Sequence, residues 1–382
     1  MSLRLHGFEA KGFRSLRSIS YPASDLDVFV GANGVGKTNL YRSLELLHAA
    51  AGNTLARDLA RDGGLKSTLW AGPHGRSDPV RVRLAVDLAD RARGSAGRYR
   101  YEIEIGYPPP VSAAFEDEAQ IKMEAISAIG ETRSVRLIER VGPSVMARGE
   151  DGRPGQIDLD LLASETVLGR LEDPSRYPEL EDLRRTLLQW RFYHGLRTDA
   201  GSPLRQPCAA LATPTLASDG ADLAAVFATL VHIRQDAVDL FEVVDQAFPG
   251  AQLIVPTPER TASFGVIFPE FPRRVFQAHE LSDGTLRFLA LAGALLAYRA
   301  PPFIALNEPE ASLHPDLLKP LAGLIVRAAR RSQVWLVTHA QPLADAIVAA
   351  GAGQVRVVTK QKGATQIEGL RAWGSFGDDE DE

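Results

Sequence analysis

Apolar positions recur with different periods along the chain, and each period predicts a different kind of element. Leu3–Ala10 and Phe13–Ile19 read as two opening strands, and Tyr21-Pro22-Ala23-Ser24 turns the chain into an apolar strand at Val28-Phe29-Val30. Leu40, Leu44, Leu46 and Leu47 then fall at helical spacing up to Ala51, where Gly52-Asn53 ends the helix. From Val80 the period drops to two. Val80–Val86 and Tyr99–Ile105 alternate apolar with charged side chains, as strands with one wet face do. Pro108-Pro109-Pro110 breaks that run, and further strands are expected over Ala119–Ala125 and Val135–Val141, with a loop over Gly149–Gly155. Val80 to Val145 therefore reads as an antiparallel lobe.

Helical spacing returns over Pro178–Gln189, followed by a strand at Trp190–His194 and a Pro-, Gly- and Ser-rich loop over 197–212. Asp222–His232 and Ala237–Ala247 form a helical pair, and Leu253–Val255 and Phe264–Phe268 return to strand. The last third alternates helix and strand: helices over Asp283–Tyr298, Pro315–Arg331 and Ala344–Ala350, strands over Pro302–Leu306, Val334–Val337 and Val355–Val358. Strands that are apolar throughout and joined by helices predict an α/β fold with a mostly parallel sheet covered on both faces. No heptad run long enough for a coiled coil and no internal repeat is present.

The first chemistry lies between the strand ending at Val30 and the helix after it. Gly31-Ala32-Asn33-Gly34-Val35-Gly36-Lys37-Thr38 fits G-x-x-x-x-G-K-[ST] in the strand–loop–helix setting that makes the match credible. Gly31, Gly34 and Gly36 let backbone N–H groups turn inward, and the helix start adds its positive end. Lys37 reaches the outer phosphates of a nucleoside triphosphate, and the Thr38 hydroxyl ligates Mg2+.

Composition narrows the setting without changing this reading. The 382 residues are 45% hydrophobic and 24% charged, as in an ordinary soluble globular chain of two or three structural units. No apolar run approaches a membrane span, and Met1-Ser2-Leu3-Arg4-Leu5-His6 carries charge where a signal peptide needs its apolar core. One cysteine, Cys208, excludes an internal disulfide and fits a reducing cytoplasm. The net charge of −5 is matched by the five acids of Asp378-Asp379-Glu380-Asp381-Glu382, which leaves a neutral body and a solvated acidic tail.

Three further stretches carry chemistry. The strand Phe303-Ile304-Ala305-Leu306 ends at Asn307-Glu308-Pro309-Glu310, which puts a carboxylate at the sheet edge from which the phosphate loop opens. Glu308 there can polarise the water that attacks a γ-phosphate. Thr338-His339 follows the next strand and offers a hydrogen-bonding group to the γ-phosphate or the attacking water. Leu281-Ser282-Asp283-Gly284-Thr285 opens a helix with a hydroxyl and a bare backbone, a second phosphate-binding surface. One nucleotide has little use for two such helix starts, unless each subunit lends its serine helix to its neighbour's nucleotide.

Taken together, these stretches resemble the ATP-binding-cassette (ABC) ATPases, in the soluble branch that includes the RecF, SMC and OLD proteins. The matches are a Walker A at Gly31–Thr38, a signature at Leu281–Thr285, a Walker B strand ending at Asn307-Glu308-Pro309-Glu310, a D-loop at Ala311–Pro315 and a switch histidine at His339. Phe13-Arg14-Ser15-Leu16 resembles the N-terminal strand of RecF-like proteins, and the resemblance adds Arg14 and Asn39 to the nucleotide site. It implies an ABC-ATPase head with an N-terminal antiparallel β lobe and a helical subdomain. The implied segments are 1–60 and 291–372 as the two parts of the ATPase core, 61–215 as an inserted lobe, 216–290 as the helical and signature part, and 373–382 as the tail. It further implies a homodimer with two ATPs between subunits, Walker A of one chain facing Ser282 and Gly284 of the other. Glu308 and His339 are the implied catalytic residues, with Thr38 and Asn307 at Mg2+.

Two departures matter. The family usually has Asp where this chain has Asn307, which predicts slow hydrolysis, and Gln120 and Gln189 compete for the Q-loop glutamine without a clear frame. The object of the switch stays open between DNA or a DNA-directed partner, in repair or phage defence, and an effector protein such as a nuclease or toxin. Arg81, Arg83, Arg98, Arg100, Arg184 and Arg185 are the basic candidates for a DNA-facing surface, although a solvated face accounts for any single one of them.

Overall fold

The computed structural model describes residues 3–73, 80–90, 97–108, 115–149, 151–233, 237–371 and 374–376. The acidic tail and the Pro109-Pro110 break lie outside them. The chain divides into two compact units, each drawn from separated stretches of sequence. The first holds the described residues of Met1–Ser24, Gly31–Trp190 and Arg356–Glu382; the second holds Asp25–Val30 and Arg191–Val355.

In the first unit, β1 (Arg4–Phe13), β2 (Leu16–Pro22), β4 (Arg81–Ala89), β5 (Arg98–Gly106), β6 (Gln120–Ile129), β7 (Ser134–Val141), β8 (Ser144–Arg148) and β9 (Pro154–Ile157) form one antiparallel sheet in the order β2-β1-β4-β5-β6-β7-β8-β9. The period of two is realised in register. Val82, Leu84 and Val86 sit opposite Ile105, Ile103 and Tyr101 on the buried face, while Arg83 opposes Glu104 and Asp87 opposes Arg100 on the other. The expected lobe is larger than its own alternation suggested, because β1 and β2 extend one edge and the hairpin β8–β9 extends the other. Of the loop expected at 149–155, Pro154 and Gly155 are already in β9, paired with Arg148 and Ala147.

Helices α1 (Lys37–Ala51), α2 (Leu55–Arg61), α3 (Gly64–Thr68), α4 (Val167–Arg170) and α5 (Pro178–Leu188) belong to the same unit. Leu40, Leu44 and Leu47 of α1 are fully buried, each contributing roughly 1.5–3 kcal/mol. Glu124 is buried beneath them, accepting from Tyr101 Oη at 3.0 Å and from the N–H of Leu168 at 2.9 Å. The unit closes with the antiparallel hairpin of β18 (Gln354–Gln361) and β19 (Ala364–Ile367), so the expected strand at 355–358 runs on to a turn at Lys362-Gly363.

The second unit is the parallel sheet that the apolar strands predict: β3 (Leu26–Val30), β10 (Arg191–Tyr193), β16 (Phe303–Asn307) and β17 (Gln333–Thr338), in the order β10-β16-β17-β3. Helices α6 (Leu223–Ala228), α7 (Val238–Ala247), α8 (Asp283–Leu295), α9 (Leu318–Ala329) and α10 (Gln341–Ala349) surround it, and Val28, Ile304, Leu306 and Leu336 join Leu289, Leu321, Ile325 and Leu343 in its core. The short strands β12 (Gln252–Ile254), β14 (Gly265–Ile267) and β15 (Phe276–Gln277) form a small antiparallel sheet, and β11 (Cys208–Ala209) pairs with β13 (Thr261–Ala262).

Two helices in this unit are shorter than their patterns. The one expected to reach Tyr298 stops at Leu295, and the Arg299 N–H bonds Pro214 O at 3.0 Å instead of continuing the ladder. The one expected over Asp222–His232 turns into a π-turn at Thr229–Ile233, where the Thr229 hydroxyl bonds back to Ala225 O at 2.7 Å. No described helix is long and apolar enough to cross a membrane.

Candidate active site

The parallel register decides where the chemistry gathers in the second unit. Asn307 pairs with Val337 and Thr338 with Val30, so β16, β17 and β3 end at one sheet edge. From Val30 the chain runs directly into Gly31 and the first unit.

In that unit the glycines of the loop are steric requirements. Gly34 and Gly36 have φ of +81° and +99°, and a Cβ on Gly36 would stand 1.9 Å from Thr365 Oγ1 and 2.3 Å from Ser15 Oγ. A Cβ on Gly31 would meet Val358 O at 2.3 Å. Lys37, first residue of α1, is 4% exposed, and its ammonium donates to Gly31 O at 2.6 Å and Ala32 O at 2.8 Å, the geometry of a loop wrapped around one cation. Ala32, Asn33 and Thr38 are exposed around it, and Val35 is half-buried. Gly36→Ala is expected to cost about 1–3 kcal/mol of stability through left-handed strain and displaced oxygens, and to weaken ATP binding with it. Thermal denaturation and calorimetric ATP titration of the variant check both effects.

The loop is buttressed by residues distant in sequence. Asn39 Nδ2 donates to Ser15 Oγ at 2.7 Å, Ser15 Oγ lies 2.6 Å from Thr365 Oγ1, and Thr365 Oγ1 donates to Val35 O at 2.8 Å. Thus Asn39, expected at the nucleotide, supports the loop from below. Thr365 carries no sequence signal, since it acts across 330 residues. Arg14 sits at φ 47°, pairs with Asp62 at 3.0 Å and lies over the Phe13 ring.

In the second unit, Glu308 follows β16 with φ 49°, a left-handed conformation that costs a non-glycine residue on the order of 1 kcal/mol. It is held there from both sides. Its N–H donates to Val337 O at 2.8 Å, and its carbonyl accepts from Ala311 N and Arg287 Nη2, each at 3.1 Å. The Glu308 carboxylate lies 3.6 Å from His339 Nδ1. Glu310, almost fully buried, places Oε1 at 3.2 Å from the same nitrogen, accepts from His339 N at 3.2 Å and takes the Thr338 hydroxyl at 2.6 Å. Carboxylate oxygens on the Nδ1 side favour the proton on that nitrogen and leave Nε2 for chemistry. Sequence reasoning gave Glu310 no role, although it stands in the quoted motif; its partners lie 28 and 29 residues away.

Two buried oxygens at this edge have no hydrogen-bond partner, Asn307 Oδ1 and Glu310 Oε2. Oxygen donors of this kind suit Mg2+, which takes few protein ligands and keeps water and phosphate around it. The unpartnered Asn307 Oδ1 fits such an ion. Among the described residues no group of three or more His, Cys, Asp or Glu holds a metal unaided.

Ser282 caps α8, its Oγ accepting from Thr285 N at 3.2 Å, and is exposed. Gly284 is required by contact, because a Cβ there would stand 2.9 Å from Ser312 O in the D-loop. The loop before α8 is fixed by the nearly buried Arg205, which donates to Leu281 O at 2.7 Å, His279 O at 3.1 Å and Asp283 Oδ1 at 2.6 Å. Arg205 lies in the segment read as a plain loop. Burial lowers the pKa of the Arg287 guanidinium, against the carboxylates of Glu310 and Glu308.

The basic candidates are mostly neutralised by acids. Arg83 pairs with Glu102 at 2.7 Å, Arg81 with Glu104, and Arg100 with Glu9 at 2.7 Å and Asp87 at 3.1 Å. Arg184 and Arg185 pair with Glu172 and Glu181. Gln120 accepts from Lys122, and Gln189 caps α5.

The fold is that of an ABC-type ATPase head. A family profile described as "AAA domain, putative AbiEii toxin, Type IV TA system" matches residues 28–124 and 158–344, and the chain belongs to this family. Among solved structures, an SMC head bound to the C-terminal winged-helix domain of ScpA is similar at TM-score 0.53 and 19% identity, over 95% of this chain and 97% of that one. An SMC head with an extended coiled coil, bound to the C-terminal domain of ScpA and derived from Pyrococcus furiosus, is similar at TM-score 0.52 and 17% identity, over 96% of each chain. No curated protein sequence matches the chain.

Proposed function

We propose that the protein is an ATP-driven switch that binds Mg-ATP, closes into a head-to-tail homodimer around two nucleotides and reopens on slow hydrolysis. The observation that carries this reading is the Glu308–His339–Glu310 cluster, with Glu308 held in a left-handed conformation beside a histidine flanked by carboxylates. The Walker A loop and Lys37 take the phosphates, Thr38 and Asn307 hold Mg2+, and Glu308 orients the attacking water with His339 at the γ-phosphate. Ser282 and Gly284 at the exposed start of α8 receive the nucleotide of the second copy. Asn307 supplies an oxygen without the usual charge; loss of such a metal partner costs about 10–100-fold in affinity or activity. ATP acts through its higher affinity for the closed state.

Light scattering with and without Mg-ATP tests the switch. Glu308→Gln is expected to accumulate as an ATP-bound dimer and to run as a monomer without nucleotide; a variant that stays monomeric at saturating Mg-ATP refutes the sandwich.

The object of the switch is DNA or a DNA-directed partner in the reading that starts from the RecF-like and SMC-like motifs. The alternative, a protein effector such as a nuclease or toxin, is supported by the toxin named in the family description, by the ScpA-bound state of the similar heads and by the acid partners of the candidate arginines. Filter binding of duplex DNA at low salt, with and without ATP, separates the two, since phosphate contacts are strongest there. Retention supports DNA; its absence, with an effector copurifying from the native host, supports the second. The lone Cys208, free in the structure, is in keeping with a reducing cytoplasm as the compartment.

A further inference from the structure

The signature helix has an attachment that phosphate binding alone does not require. Arg287 lies on α8, five positions after Ser282, and all its bonds here go to main-chain oxygens: Glu308 O at 3.1 Å, Pro309 O at 3.3 Å and Leu196 O at 3.1 Å. Three carbonyls around one planar fork suit a guanidinium and not an ammonium. One of them belongs to the residue with the left-handed backbone, whose N–H is already fixed on β17. At the other end of the same short stretch, Gly284 packs against Ser312 O with no room for a Cβ. The first turn of α8 therefore rests on the D-loop while its second turn grips the Glu308 carbonyl, and a single helix joins a phosphate-facing cap to the carboxylate that orients water.

We infer that Arg287 is a positioning residue that couples the cap of α8 to Glu308, so that a phosphate engaged at Ser282 and Gly284 sets the place of the Glu308 carboxylate in the same subunit. The inference rests on the sandwich reading. There, the phosphate at Ser282 belongs to the nucleotide on the partner's loop, whereas Glu308 serves the nucleotide on its own loop. Arg287 then links the two nucleotides through each subunit, and the two-fold symmetry of the dimer makes the link the same in both directions.

The test uses the full chain and Arg287→Lys, which keeps the charge and loses the fork, with Arg287→Ala beside it. Turnover is measured against ATP concentration. The variants should lose about tenfold or more in kcat, with half-saturating ATP little changed. In the Glu308→Gln background, Arg287→Lys should still dimerise with Mg-ATP by light scattering. Amide exchange over 307–313, with and without a non-hydrolysable ATP analogue, reads the coupling without turnover: protection gained in wild type should be absent in Arg287→Lys. Equal protection, or wild-type kcat in the folded variant, overturns the inference. Loss of dimerisation by folded Arg287→Lys overturns it too, because the arginine would then serve only to build the signature. A monomeric Glu308→Gln single variant refutes the sandwich itself, a failure distinct from any defect confined to Arg287.

Discussion

Lys37→Ala is expected to remove measurable ATP binding and, with it, nucleotide-driven dimerisation. The side chain is 4% exposed and its ammonium sits between Gly31 O and Ala32 O. A charged hydrogen bond contributes about 1.5–3 kcal/mol. One ammonium shared between two phosphates therefore accounts for about 100-fold or more in affinity, at about 1.4 kcal/mol per factor of ten. The truncation also frees two carbonyls that the lysine now organises, which loosens the loop in the absence of nucleotide. Calorimetric titration of ATP, with circular dichroism to show that the fold survives, checks the result. A folded Lys37→Ala protein with near wild-type affinity would remove the Walker A loop from the nucleotide site.

How much of this was legible in the sequence depended on how local each feature is. The Walker A loop, the signature and the strand ending at Asn307-Glu308 are contiguous, and backbone chemistry within eight or so residues defines them, so the sequence alone could propose them. The alternation in β4 and β5 gave the wet face correctly. It said nothing of the acids opposite each arginine, because those are set by strand register and by Glu9 on a third strand. The units also interleave. Residues 25–30 belong with 191–355 while their neighbours on both sides belong elsewhere, because Val28 and Phe29 pair with Leu336 and Val337 some 300 residues away. Composition does not mark such a boundary.

The supporting residues were the least legible. Ser15, Thr365, Arg205 and Arg287 touch the motifs through hydrogen bonds to residues distant in sequence, which no local spacing marks. Arg205 lies in a stretch whose prolines and glycine predict only a loop, yet it fixes the entry to α8. The resemblance placed Asn39 at the nucleotide, and its side chain donates to Ser15. Motif spacing reports what a backbone must do; it is silent about which remote side chain holds it in place.

Glu310 shows what that silence hides, and Glu310→Ala is expected to lower kcat about 10²–10³-fold while leaving half-saturating ATP close to wild type. The carboxylate is almost fully buried and serves three groups at once: the Thr338 hydroxyl at 2.6 Å, the His339 N–H at 3.2 Å and His339 Nδ1 at 3.2 Å. Removing it leaves two buried donors unpaired, at about 1–3 kcal/mol each, and frees the imidazole ring to turn away from Glu308. General acid–base and orienting contributions of this kind are worth about 10²–10⁴-fold, and an outer partner typically carries about 10–100-fold of that. Binding is expected to be spared, because in the proposed site the Walker A loop takes the phosphates. Glu310→Gln separates charge from hydrogen bonding: its carbonyl oxygen still accepts from Thr338 and His339 N, so a loss of only about tenfold is expected. Equal losses in both variants would assign the whole effect to the negative charge beside Nδ1. Wild-type turnover in Glu310→Ala, with the fold verified by thermal denaturation, would instead show that His339 needs no acid behind it.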